Sequence, residues 1–122
     1  MKVITSEENK IEFDNGLVVE GTHSQDCCEH NYLDFEQLPV GTELPDYSAA
    51  QFIEALTLKE DGFIVKDVNQ VPKWVQARSS QNGYYSRGVD MRVSDGKVTL
   101  QPKKPGQPEY CEVFTAGEEN IY

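Results

Sequence analysis

Three of the chain's four Asn-Gly and Asp-Gly pairs are predicted as two-residue turns between segments in which polar and apolar residues alternate. They are Asn15-Gly16, Asn82-Gly83 and Asp95-Gly96. Asn-Gly and Asp-Gly accept the positive φ angles of tight turns, which join neighbouring antiparallel strands. Alternation on both sides of such turns favours half-buried strands. The pattern therefore predicts an antiparallel sheet built from hairpins.

The first hairpin is predicted over residues 10–23, with Lys10 to Phe13 as one strand and Leu17 to His23 as the return. A type I′ turn is expected between them. Later strands are predicted at residues 63–68, 73–79, 84–93, 98–101 and 110–114. The expected total is six to seven strands, many of them joined by tight turns.

Helical signals are few and short. Residues 48–56 are rich in helix-forming residues, and Ser48 or Asp46 is placed to cap them. A second short helix, capped by Ser24 or Asp26, is predicted before Phe35. The expected fold class is α+β, a mainly antiparallel β-sheet built from hairpins with one or two short helices packed on it.

The length of 122 residues suits a single domain over residues 1–122. Prolines and glycines predict loops at residues 37–47 and 102–109. Residues 1–9 and 116–122 are expected to be loose termini.

The acidic charge is concentrated in the first half of the chain. The formal net charge is −10, and residues 1–50 hold 11 acidic and 2 basic residues. Direct binding to nucleic acid or to an anionic membrane surface is not expected, because both depend on Lys and Arg. The charge indicates either an ordinary soluble surface or an acidic face for a basic protein. The residues predicted for such a face are Asp26, Glu29, Asp34 and Glu36.

The three cysteines and the sequence of the N-terminus favour a cytoplasmic protein, or the host cytoplasm if a phage encodes it. No apolar run reaches the roughly 20 residues of a membrane span, and residues 1–8 lack the apolar core of a signal peptide. Three cysteines do not make the even-numbered framework typical of a small secreted protein. Reduced thiols are expected.

Both histidines and two of the cysteines lie close together in sequence, at His23, Cys27, Cys28 and His30. Thiolate and imidazole are ligands that suit Zn²⁺, but this spacing is not a standard zinc signature. Packing of the thiols as small buried groups is the main interpretation, with a metal or thiol site as the alternative. No cofactor is expected, and zinc is the alternative.

A second cluster surrounds the middle turn signal and combines aromatic, amide and guanidinium groups. Its members are Arg78, Asn82, Tyr84, Tyr85 and Arg87. Exposed tyrosine and arginine side chains suit an anionic or nucleobase ligand through stacking and charge. The alternative is a hairpin turn followed by aromatic cross-strand pairs. The usual phosphate-loop, hydrolase and metalloprotease motifs are missing, so no catalytic residues are predicted.

Two short blocks carry a resemblance to a known family. Residues 26–32 read Asp-Cys-Cys-Glu-His-Asn-Tyr, and residues 82–86 read Asn-Gly-Tyr-Tyr-Ser. In this order they resemble the two signatures of a family of small uncharacterised bacterial and phage proteins, a domain of unknown function. The resemblance implies an origin in a phage or mobile element and brings no activity with it.

These observations together predict a non-enzymatic acidic binding module. We expect an accessory protein of a phage or mobile element that engages a host protein, as an inhibitor of a host defence system. The alternatives are a protein that sequesters a small nucleotide signal through the Tyr/Arg cluster, and a metal or thiol site at residues 23–30. Open sheet edges also make a homodimer a reasonable expectation.

Overall fold

The computed structural model describes residues 1–22, 29–81, 88–103 and 113–116. Within these ranges the chain forms ten strands and one helix. The strands are β1 (Val3–Glu7), β2 (Lys10–Phe13), β3 (Val18–Thr22), β4 (Glu29–Asp34), β5 (Thr57–Lys59), β6 (Gly62–Lys66), β7 (Pro72–Gln81), β8 (Gly88–Ser94), β9 (Thr99–Leu100) and β10 (Phe114–Thr115), and the helix is α1 (Ala49–Ala55).

The strands form two sheets in which every described pairing is antiparallel. The first sheet has the order β1-β2-β3-β8-β10, with β9 paired to β8, and the second has the order β4-β7-β6-β5. This confirms a mainly antiparallel α+β fold with a single short helix among the described residues. The strand count exceeds the expected six to seven, because β1, β4 and β5 lie in segments that were not predicted as strands.

The first predicted hairpin is present, with Ile11 opposite Val19 in the β2–β3 ladder. Its turn differs from the expected type I′, because Gly16 has a φ of +90° whereas Asn15 does not have a positive φ. The Phe13 N–H donates to the Leu17 carbonyl at 2.8 Å. The turn therefore has three central residues, and the left-handed position falls on a glycine, which adopts it without steric cost.

The third turn signal also joins paired strands, since Val93 of β8 lies opposite Leu100 of β9. Asp95 holds this turn, because its Oδ1 accepts hydrogen bonds from the N–H groups of Lys97 and Val98. Its Oδ2 accepts the N–H of Ala49 at the start of α1. These backbone hydrogen bonds, that of Ala49 foremost, lower the pKa of the Asp95 carboxyl.

The middle turn signal does not join two paired strands. β7 lies between β4 and β6, whereas β8 lies between β3 and β10 in the other sheet. Residues 82–87, which contain Asn82-Gly83, lie outside the described residues. The connection from β7 to β8 therefore passes from one sheet to the other, and the hairpin expected here is wrong.

The helix predicted before Phe35 is wrong where the structure describes that segment, since residues 29–34 form β4. Asn31, Leu33 and Phe35 are buried, and the residues between them are half-exposed. This period of two fits a strand with one face in the core, and such burial outweighs a local capping signal. The proposed caps, Ser24 and Asp26, lie outside the described residues.

The helix predicted over residues 48–56 is confirmed as α1. The Gln51 N–H donates to the Ser48 hydroxyl, and the Gln51 side chain accepts the Ser48 N–H, which completes a capping box. Phe52 is fully buried and lies in edge contact with Tyr47, at a ring distance of 6.2 Å. No helix among the described residues is long and apolar enough to span a membrane.

The N-terminal segment is an ordered edge of the first sheet, so the expectation of a loose terminus over residues 1–9 is wrong. Val3 is 1% exposed, and its N–H donates to the Thr42 carbonyl at 2.9 Å. Lys2 forms an isolated bridge with Glu43. The predicted loop over residues 37–47 is irregular apart from this bridge, and it covers the beginning of β1.

The buried side chains of both sheets form one core cluster. Phe63 of β6 stacks on Phe114 of β10 at a ring distance of 5.9 Å, which joins the second sheet to the first. Asn9, in the turn after β1, is a second link. Its N–H donates to the Leu33 carbonyl and its side-chain oxygen accepts the Leu33 N–H, at 3.0 and 2.9 Å. Its amide nitrogen donates to the Gly21 carbonyl at 3.1 Å.

Candidate acidic binding groove

A groove of about 460 Å³ lies between the end of β1 and the chain that follows β4. The Asn9 hydrogen bonds to Leu33 hold its two sides together, since they fix the β1–β2 turn against β4. The volume is within the usual range for ligand sites in proteins. The residues that line the groove are Ser6, Glu7, Glu8, Tyr32, Asp34, Phe35, Glu36, Pro39 and Val40.

Four of the nine residues that line the groove are acidic, and none of the nine is basic. Glu7, Glu8 and Glu36 are exposed, whereas Asp34 is half-buried. Within the described part of the chain, neither Glu7 nor Glu36 forms an ion pair. The groove therefore presents negative charge to the solvent from both of its sides.

Asp34 is engaged within the protein. Its Oδ2 accepts a hydrogen bond from Nε of Arg78 at 2.5 Å, and its Oδ1 accepts the N–H of Glu36 at 2.9 Å. Both carboxylate oxygens therefore have partners, and much of the charge is compensated. Asp34 orients the turn that carries Glu36, and Glu7 and Glu36 present the outward charge.

Apolar surface accompanies the carboxylates. Val40 is 63% exposed, and Pro39 beside it is also exposed. Tyr32 of β4 is half-buried and also lines the groove. Lysine and arginine combine an aliphatic stem with a charged end, so a surface of this mixed character suits their side chains.

A small cleft of about 40 Å³ adjoins the groove and shares Asp34 and Glu36 with it. Arg78 and Trp74 line this cleft as well, and the Trp74 N–H donates to the side-chain oxygen of Gln37 at 2.9 Å. A volume of this size holds a water molecule or two but no nucleotide. Arg78, predicted as a ligand-binding cation, is thus half-buried and paired with Asp34.

The structure brings together two of the predicted protein-binding residues, Asp34 and Glu36. Asp26 lies outside the described residues, and only the backbone of Glu29 is described, in β4. Of the predicted ligand-binding cluster, Arg78 alone is described. The other four members, Asn82, Tyr84, Tyr85 and Arg87, lie outside the described ranges.

The predicted metal or thiol site is also largely outside the described residues. His23, Cys27 and Cys28 are not described, and His30 is described only as part of the backbone of β4. Among the side chains that the structure does describe, no group of three or more His, Cys, Asp or Glu residues is placed to hold a metal ion.

Residues in the first signature block and on either side of both blocks lie close together, although the blocks are far apart in sequence. Thr22 lies opposite Asp90 in the first sheet, and Glu29 lies opposite Gln81 in the second. The buried pair Asn31 and Ser79 is hydrogen-bonded at 2.6 Å. The Asn31 amide also donates to the Gly88 carbonyl at 3.4 Å, between the sheets. The chain passes between the sheets from β3 to β4 and from β7 to β8, and both of these connections start and end in one region of the molecule.

Sequence reasoning missed Glu7 and Glu8 as members of the groove. The expectation of a loose N-terminus excluded them from any site. A usable signal was nevertheless present, because the β-branched run of Val3, Ile4 and Thr5 favours a strand. That strand would have placed Glu7 at its fixed end and Glu8 in the turn that follows.

A family model described as "Domain of unknown function (DUF7448)" matches residues 1–91. The matched range includes both signature blocks and all residues of the groove, and it covers well over half of the chain. The chain therefore belongs to this family, which confirms the resemblance to a domain of unknown function. No curated protein and no solved structure matches the chain.

Proposed function

We propose that this member of the DUF7448 family is a non-enzymatic binding module that engages a basic segment of a host protein through its acidic groove. The observation that carries the proposal is the groove of Glu7, Glu8, Asp34 and Glu36 with exposed Val40 beside them. In this proposal the protein is a phage or mobile-element accessory protein that acts in the host cytoplasm.

The charge distribution supports a basic partner. A net charge of −10, concentrated in the first 50 residues, accelerates association with a positively charged surface. Lys and Arg side chains could then place their stems against Val40 and their charged ends near Glu7 and Glu36. The same carboxylates would repel a phosphate group, and the pairing of Arg78 with Asp34 compensates the nearest cation.

A binding role also agrees with the chemistry of the groove. Its lining residues include no histidine and no cysteine, so the Ser6 hydroxyl lacks the histidine partner of a Ser–His nucleophile and the groove holds no Cys–His pair. A host protein that uses a basic surface to bind nucleic acid would be blocked when that surface is covered. Inhibition of a host defence system is the role that we propose for such binding.

The test is capture of proteins from a lysate of the source cells on the immobilised protein. A groove variant combines Glu7→Lys with Glu36→Lys. The matched control combines Glu54→Lys with Glu60→Lys, two exposed sites outside the groove, and changes the net charge by the same amount.

We expect a host protein that is retained by the wild type and by the control variant, is lost from the groove variant, and is released by high salt. Equal retention on the groove and control variants would show that net charge alone attracts the protein. If no host protein is retained by the wild type at low salt and released at high salt, the proposed function is contradicted.

A further inference from the structure

We infer that the basic segment binds in extended form and pairs its backbone with Ser6, in a gap along the outer edge of β1. This inference rests on the proposed function and adds how the partner is held. Charge attracts the segment, and two backbone hydrogen bonds position it.

The direction in which the Ser6 N–H and C=O groups point follows from the hydrogen-bonding pattern of β1, β2 and β3. The Phe13 N–H donates to Leu17 and the Gly21 N–H donates to Asn9, so the odd-numbered residues of β2 bond to β3. Ser6 lies opposite Ile11, one of these odd-numbered residues. In an antiparallel pair, such a position leaves both backbone groups pointing away from the neighbouring strand. The N–H and C=O of Ser6 therefore point outward from β1.

The chain already covers this edge on both sides of Ser6. Before it, Val3 donates its N–H to Thr42 and accepts the N–H of Gly41, both at 2.9 Å. After it, Asn9 exchanges hydrogen bonds with Leu33 at the open edge of β4. Within the described part of the chain, no backbone hydrogen bond outside the ladder reaches Ser6. The edge thus has strand-like partners at both ends and a gap between them.

The gap opens into the acidic groove, since Ser6 is among the residues that line it. Adding a strand to a free edge is a common way for a protein to bind a peptide, with specificity supplied by alternate side chains. In an extended segment every second side chain points to the same face. Basic residues two positions apart would therefore lie on one face, near Glu7 and Glu36, while a residue between them pairs with Ser6.

The probe is an acetylated and amidated heptapeptide in which threonine and lysine alternate. One derivative is N-methylated at every lysine and another at every threonine, so that the two have equal charge. Only one of these sets can supply the N–H that faces Ser6. Because a residue between the lysines pairs with Ser6, we expect the threonine-methylated derivative to bind about tenfold more weakly than the parent peptide, which is the scale of one hydrogen bond. The lysine-methylated derivative should bind within about twofold of the parent peptide.

Two measurements on the protein complete the test. Saturation with the parent peptide should slow hydrogen exchange at the Ser6 amide. Ser6→Pro removes that N–H without removing a β1–β2 ladder bond, and proline is tolerated on an edge strand. We expect this variant to keep its urea midpoint within about 0.5 M of the wild type and to bind the parent peptide about tenfold more weakly.

The outcomes separate the two proposals. Strand addition would be refuted if both methylated peptides bind with equal affinity and the parent peptide does not slow hydrogen exchange at the Ser6 amide. The proposal of an acidic binding groove would still stand in that case, provided that binding is salt-sensitive and is lost in the Glu7→Lys, Glu36→Lys variant. Absence of binding to the parent peptide at low salt would refute both. If Ser6→Pro unfolds, the methylated peptides and the exchange rate still decide the question.

Discussion

Asn9 gives the sharpest test of how the two sheets are held together. Its side chain makes two hydrogen bonds to backbone groups, of Leu33 in β4 and Gly21 in β3. Its φ of +72° lies in the left-handed region, which asparagine accepts more readily than other non-glycine residues. An Asn9→Ala substitution therefore removes two hydrogen bonds and introduces backbone strain at the same site.

The two effects have separate magnitudes. Two lost hydrogen bonds should lower the free energy of unfolding by about 2 kcal/mol, and alanine in the left-handed region should add about 1 kcal/mol. The sum of about 3 kcal/mol is a large part of the 5–15 kcal/mol typical of a domain. Asn9→Gly is the matched control, because it loses the same hydrogen bonds without the steric strain, and we expect it to cost about 2 kcal/mol.

The assay is urea unfolding followed by the fluorescence of Trp74, the single tryptophan. Hydrogen exchange at the Leu33 amide should also accelerate in both variants, because its acceptor is the Asn9 side chain. Equal destabilisation by alanine and glycine would refute the strain component. A loss below about 0.5 kcal/mol in both variants would refute the contribution of the hydrogen bonds.

Three further predictions concern other parts of the described structure. Gly62→Ala should destabilise the protein by about 3 kcal/mol, since a Cβ there would lie 2.2 Å from the Val75 backbone carbonyl; an unchanged urea midpoint would contradict this. Asp95→Asn should lose stability at pH 7, because the lowered pKa of Asp95 means that its charged form stabilises the folded state. That contribution is present above about pH 4 and is lost as the pH falls through the lowered pKa, so the difference in urea midpoint should shrink at pH 3, and a constant difference would refute the assignment. Alanine variants of Asp34 and Arg78 in a double-mutant cycle should show a coupling of about 1 kcal/mol that decreases in high salt; additive effects would show that the pair contributes nothing.

Local patterns were sufficient for the elements whose hydrogen bonds are close in sequence. The hairpin of β2 and β3 follows from alternation and a glycine at the turn, and α1 follows from its Ser48 capping box. The prediction failed at β4, because a capping signal and a buried alternating face compete there. The partner strand of β4 is β7, some forty residues later, and its contribution cannot be read from a short window.

In the candidate site, too, some residues follow from local sequence patterns and others depend on contacts between distant segments. Asp34 and Glu36 were predicted from the acidic first half of the chain, and both line the groove. Arg78 was assigned to a different cluster, yet it pairs with Asp34 across two strands of one sheet. Such a pairing depends on register between distant segments, which charge patterning along the chain does not reveal.

The amino-acid sequence by itself determined the family, the antiparallel character of the fold, the hairpin turns at Gly16 and Asp95-Gly96, and the excess of acid in the first half of the chain. These properties depend on residue type and on neighbours a few positions away. Tertiary structure alone decided that β7 and β8 belong to different sheets and that the end of β1 borders a groove beside β4. The physical reason is that burial and strand pairing are set by contacts between distant segments, and their summed free energy overrides local preference.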